Sequence, residues 1–256
     1  MSLFLGIYSF VFGLLIGSFL NVLILRLPLK KDIVKTRSAC PQCGTQLAWY
    51  HNIPVFSFIF LRGKCAFCKT PISWRYPLIE LLTGLISFWL CPNEIDSLAL
   101  TQYFFYFTVA CIFIVHFMID LDHQLLLDSI NIYLLLIVLS HVIFFSSFNH
   151  WIIGGVIGFC VPLLVTWLFY KIRGQVGLGG GDIKLFGILG LYLGPVGIVF
   201  NIFLSSLVGA VIGSVLIGFK KISKDKPMAF GPAIILVAAF QIYFPELAKI
   251  VQSWFF

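Results

Sequence analysis

From Ser2 to Leu25 the chain carries no charged side chain, and the run stops abruptly at Arg26. An α-helix needs about 20 apolar residues to cross the hydrocarbon core of a bilayer, so this run is long enough to span. The next stretch, up to about Pro77, is polar, basic and broken by proline and glycine. Apolar runs then resume at about Pro77–Cys91, Leu98–Ile119, Leu125–Phe145 and Trp151–Tyr170. A short one follows Asp182 to about Leu193, and two more cover about Val196–Phe219 and Met228–Phe244. The pattern predicts an all-α polytopic membrane protein of about eight transmembrane helices, the sixth being the shortest.

Composition agrees with this reading. Of 256 residues, 60% are apolar and 11% charged, whereas soluble domains carry about 25% charged residues. The 28 phenylalanines and six tryptophans suit lipid-facing and interfacial positions, and lipid is an expected partner.

Charge orients the spans. Between Arg26 and Arg75 lie nine Lys or Arg residues and a single acid, Asp32. Basic loops remain in the cytoplasm, which places this segment in the cytosol. The first run then reads as an uncleaved anchor with its amino terminus outside. Because the basic residues flank membrane spans, they read as an orientation signal and not as a nucleic-acid surface; no nucleic-acid partner is expected. Eight spans put "DLDHQ" (120–124), Lys171, Arg173 and "KKISKDK" (220–226) on the cytosolic side. "CPNEIDS", "SSFNH" and the carboxyl terminus fall outside. Seven spans would leave the last basic cluster on the wrong side.

Four carboxylates then share one face of the membrane. Asp120, Asp122 and Asp128 sit where spans three and four meet the cytosol, and Asp182 opens span six. Ionised acids near lipid are costly and are usually functional or paired. Two neighbouring carboxylates share a proton, so one can deprotonate water while the other polarises a scissile carbonyl. Gly179, Gly180 and Gly181, just before Asp182, permit close approach of an extended substrate backbone. Lys184 is a further polar group there. The plainer readings are helix capping: an N-cap role for Asp182 and headgroup-level flanking for the other three. The "GLGGGDIK" stretch lacks the lysine and hydroxyl pattern of a phosphate-binding loop.

Cysteine spacing points to metal. "CPQC" (Cys40, Cys43) and "CAFC" (Cys65, Cys68) lie 21 residues apart in the basic loop. Paired CxxC motifs close a tetrahedral zinc site, and a reducing cytosol disfavours disulfides. With four protein ligands the zinc would be structural, holding a loop that has no core of its own. Cys91, Cys111 and Cys160 are scattered in the spans and read as small packing residues.

Taken in order, "GSFLNVLILRLP", "CPQCG", "NIPVFSFIFLRGKCAFCKTPISWRYPLIELLTG", "IDLDHQLLLD", "GLGGGDIKL" and "AFGP" resemble the type IV prepilin peptidases over most of the chain. Members of that family are inner-membrane aspartyl peptidases of bacteria, often also N-methyltransferases. The resemblance implies that Asp182 and Asp120 are the catalytic pair, with Asp122 as the fallback for Asp120; Asp128 and Lys184 stay secondary candidates by their position beside these acids. It implies prepilin and pseudopilin substrates with a short basic leader, cut at the cytosolic face. It also implies S-adenosylmethionine as methyl donor. The cysteine loop resembles that of the larger, bifunctional members. The implied division is residues 1–25 as the first transmembrane helix, 26–77 as a cytosolic basic zinc-binding loop domain, and 78–256 as a transmembrane peptidase core. Leu127 departs from the pattern: the family usually has proline there, and its loss could loosen the entry to the next helix.

The methyl donor leaves a fainter trace. No strand followed by GxGxxG appears. The candidates are the polar groups flanking the cysteine loop: Asn21, Arg26, Arg75 and Glu80, with Arg26 or Arg75 as a partner for Glu80. Two rival classes remain at this point: an ion-coupled transporter using the same acids, and a scaffold whose zinc loop docks partners. Oligomeric state and the individual pilins are not encoded legibly.

Overall fold

A computed structural model describes residues 3–175, 177–219 and 228–255. The basic cluster at 220–226 lies outside the described residues, as does Val176 of the glycine-rich stretch. The chain divides into two compact units, Met1–Val115 and His116–Phe256.

In the first unit, α1 (Leu3–Arg26) packs along α3 (Arg75–Leu90). The pair is fastened by buried hydroxyls: Ser87 Oγ donates to the Ser9 carbonyl at 2.6 Å, and Tyr103 Oη lies 2.7 Å from Ser87 Oγ. Such bonds satisfy polar groups that lipid cannot. Between α1 and α3 the chain forms the cysteine loop, with a short helix α2 (Phe56–Phe60). Helix α4 (Ser97–His123) begins in this unit, and its last turns, from His116, belong to the second.

The second unit adds α5 (Asp128–Phe145), α6 (Phe148–Arg173), α7 (Gly180–Gly218), α8 (Gly231–Tyr243) and α9 (Pro245–Gln252). Here α7 is the hub: α5, α6 and α8 all pack on it. A buried amide pair joins α7 to α8, Asn201 Nδ2 donating to Gln241 Oε1 at 2.8 Å while Gln241 Nε2 donates to the Gly197 carbonyl. The outward residues are large and apolar (Leu164, Val165, Trp167 and Leu168 on α6), the inverse of a water-facing helix.

Helices occupy all eight predicted positions, and the all-α polytopic architecture is as the sequence implies. The number of spans differs. Among the described residues five helices are long and apolar enough to cross a membrane, or six if α8 and α9, bent by 110°, make one broken span. Helix α3 has only 16 residues. Predicted spans six and seven run together in α7 across a kink at Gly194, whose φ of 69° and ψ of −177° are not helical. The following Pro195 lacks an N–H, so the break removes little hydrogen bonding. Helix α9 was not anticipated; Pro245 begins it directly after α8 ends at Tyr243 and the chain turns at Phe244.

Candidate active site and metal centre

Asp120 lies near the end of α4 and is 4% exposed. Asp122, two residues on, projects about 200° further round the helix and is exposed. The face carrying Asp120 meets the start of α8, where Gly231 N–H donates to Asp120 Oδ2 at 2.9 Å. A helix amino terminus offers unpaired N–H groups and favours negative charge there. A Cβ at position 231 would sit 2.7 Å from Oδ2, which explains the glycine.

Asp182 stands at a second helix start. Gly179, not Asp182, is the N-cap of α7, which displaces the simple capping alternative. Asp182 is the third helical residue; its N–H bonds the Gly179 carbonyl at 3.1 Å, and its carboxylate reaches back to the Gly179 N–H. Asp120 is the charged neighbour of that carboxylate. Gly181 packs so tightly on Leu126 that an added Cβ would meet Leu126 Cβ at 2.8 Å, while Gly180 faces open space.

Asp128 is elsewhere engaged. Lys184 Nζ donates to its Oδ1 at 2.7 Å, with side chains 50% and 63% exposed for lysine and aspartate. Leu127, in the proline position, is the N-cap of α5 at φ −73° and ψ 128°. That is the conformation proline would impose, and Ile130 and Asn131 N–H both reach its carbonyl at 3.1 Å, so the helix entry is kept.

Three participants near this site were missed from sequence. Gly231 was visible only as part of "AFGP", where a Gly-Pro pair opening an apolar run is the signal. His116 and Asn131, 0% and 3% exposed, looked like ordinary span residues.

The four cysteines converge. Their Sγ atoms all lie within 4.8 Å of one another, and Cys40 Sγ is 3.8 Å from Cys68 Sγ. Tetrahedral zinc with Zn–S bonds of about 2.3 Å requires sulfurs about 3.8 Å apart, so the residues fit the metal. The two halves are built alike. Cys40 N–H bonds the Thr45 carbonyl and Cys65 N–H the Thr70 carbonyl, each half closing with a residue at positive φ, Gly44 or Lys69. Isolated bridges Ala39–Gln46 and Lys64–Pro71 flank them. Backbone N–H groups of Cys43 and Gln42 pull the Cys40 thiol down to about 6. The Thr70 hydroxyl, 2.9 Å from Cys68 Sγ, lowers the Cys68 thiol likewise. Thr45 Oγ1 is 3.3 Å from Cys43 Sγ. Both shifts favour the thiolate that a metal needs.

Polar residues beside this loop bond its backbone and the start of α3. Asn21 Nδ2 donates to the Tyr76 carbonyl at 3.1 Å. Arg26 Nη1 donates to the Asp32 and Thr36 carbonyls, and Arg75 N–H to Ser73 Oγ. Glu80, 8% exposed, accepts from Val55 N–H at 2.8 Å. Backbone groups of the loop thus take the Arg26 and Glu80 side chains, because the loop has little other secondary structure to satisfy them.

Neighbouring carboxylates at two helix starts, within a helical membrane protein, have the parts of an aspartyl hydrolase. Residues 11–93 match the bacterial peptidase A24 N-terminal domain, and residues 106–214 match the type IV leader peptidase family. A prepilin leader peptidase/N-methyltransferase of Stutzerimonas stutzeri is 34% identical over 258 residues, 89% of this chain and 86% of the relative. Proteins of the same name from Xanthomonas campestris and Aeromonas hydrophila are 35% and 36% identical, covering 91% and 89% of this chain and 88% and 86% of themselves. No solved structure gives a significant match. The chain belongs to the prepilin leader peptidase/N-methyltransferase family. That membership displaces the ion-coupled transporter.

Proposed function

We propose that this integral membrane enzyme hydrolyses the peptide bond after the basic leader of prepilins and pseudopilins, with Asp120 and Asp182 as the catalytic pair. One carboxylate takes a proton from water while the other donates to the scissile carbonyl. The observation that carries the assignment to Asp120 is its burial beside Asp182 with Gly231 N–H on Oδ2, whereas Asp122 faces out. Two helix amino termini at the pair favour negative charge as it develops. Gly180, which faces open space, leaves room for the substrate backbone beside Asp182. The basic loop supports a cytosolic face of a bacterial inner membrane for this chemistry, where the leader is presented.

The same reading gives the chain N-methylation of the new amino terminus, with S-adenosylmethionine supplying the methyl group when bound. Cys40, Cys43, Cys65 and Cys68 hold structural zinc, which fixes the fold of residues 26–77 as a small domain of its own.

The test is cleavage of full-length prepilin by purified protein in detergent, read by mass spectrometry. Wild type should cut, and Asp120→Asn and Asp182→Asn should not; a methyl-group gain with S-adenosylmethionine reports the second activity. Full cleavage by Asp120→Asn removes the pair.

A further inference from the structure

Asp120 and Asp182 sit on different helices, and their separation decides whether they can act on one water. His116 lies four residues before Asp120, one turn back on the same face of α4. It is completely buried, and among the described residues neither ring nitrogen has a hydrogen-bond partner in good geometry. Its polar neighbour is the Asn131 side chain on α5. Asn131 is 3% exposed; its Oδ1 is likewise unsatisfied, and its Nδ2 donates to the Gly181 carbonyl at a long 3.4 Å. That carbonyl belongs to the peptide bond leading into Asp182.

Three unsatisfied polar atoms in one buried place oppose folding, and an apolar pair of similar shape would pack there at no such cost. The ring has a nitrogen that can donate, Asn131 Oδ1 can accept, and the amide already points at Gly181. Hydrogen bonds of this kind are often long in a free enzyme and shorten around bound substrate. We propose that His116 and Asn131 are positioning residues: a relay from α4 through α5 to the Gly181–Asp182 peptide that sets Asp182 against Asp120. The relay rests on the aspartyl reading and deepens it. Its closure with substrate is the event that brings the pair to working distance.

Steady-state cleavage of prepilin tests this with His116→Leu, Asn131→Leu, the double variant and His116→Gln, beside Asp120→Asn and Asp182→Asn. Each leucine variant should lower kcat about 10- to 100-fold with KM within about twofold, the cost of a small misplacement of a reacting group. The double variant should lose no more than the worse single one, since both act through one peptide. Its Tm should equal or exceed that of wild type, and His116→Gln should recover most of the turnover. Methylation of already cut pilin should stay at the wild-type rate throughout. Wild-type kcat in either leucine variant overturns the relay, as does a lowered Tm with equal losses of cleavage and methylation, the mark of a packing role. If both Asn variants are dead while the leucine variants cleave normally, the relay alone falls; if an Asn variant cleaves, the catalytic pair falls and takes the relay with it.

Discussion

At the scale of single residues, Gly231 is the sharpest test of the site because its effect is steric and local. Alanine there brings a Cβ to 2.7 Å from Asp120 Oδ2, so the carboxylate must move or rotate off the Gly231 N–H. Gly231→Ala should cut kcat by about tenfold or more while thermal stability changes little, measured by cleavage kinetics beside a melting curve. The Asp128–Lys184 pair predicts the opposite: both side chains are at least half exposed. A double-mutant cycle on thermodynamic stability should return a coupling of about 1 kcal/mol or less, screened by salt. The acids themselves were legible in the sequence, since a carboxylate at the edge of an apolar run is conspicuous. Their partners were not: the Gly-Pro pair opening the last apolar run marks position 231, but nothing in a residue pattern ties its N–H to Asp120. His116 and Asn131 are polar letters within spans whose burial only packing reveals.

Whole elements turn on two local devices, a kink and a pair of knuckles. The kink at Gly194 has a positive φ, and an added Cβ would collide with the His150 ring. Gly194→Ala should destabilise the protein by about 1–3 kcal/mol, read as a shift in its unfolding midpoint in mixed detergent. In the sequence the same "GP" read as a turn between two spans; in the structure it is a kink at which the backbone leaves helical geometry for the single residue Gly194. The convergence of the four cysteines into a cluster that can hold zinc was readable because ligand chemistry fixes cysteine spacing, but the threonines were not marked. Thr45→Val and Thr70→Val each remove a hydroxyl beside a ligand sulfur, 3.3 and 2.9 Å away. Each should weaken zinc binding about 10- to 100-fold, measured by competition with a chromophoric chelator. Loss of zinc should also free the loop that Glu80 and Arg26 anchor through its backbone.

For the whole molecule, two matched domains and two named activities fall on one chain whose compact units meet at Val115 and His116. Both aspartates lie in the second unit, while all four cysteines and the polar residues around them lie in the first. If methyl transfer depends on the first unit, the two activities should be separable by point substitution. Asp182→Asn should abolish cleavage yet methylate a pilin supplied with its leader already removed, because no group of the second activity has been touched. A cysteine ligand variant such as Cys65→Ser should lose methylation of that same pre-cut substrate, because the zinc loop no longer folds. Both measurements use one substrate and one mass-spectrometric readout, so a difference between them cannot arise from substrate binding alone. Loss of methylation in Asp182→Asn, with its melting curve unchanged, would mean that the aspartate pair serves both reactions and that the activities share one site.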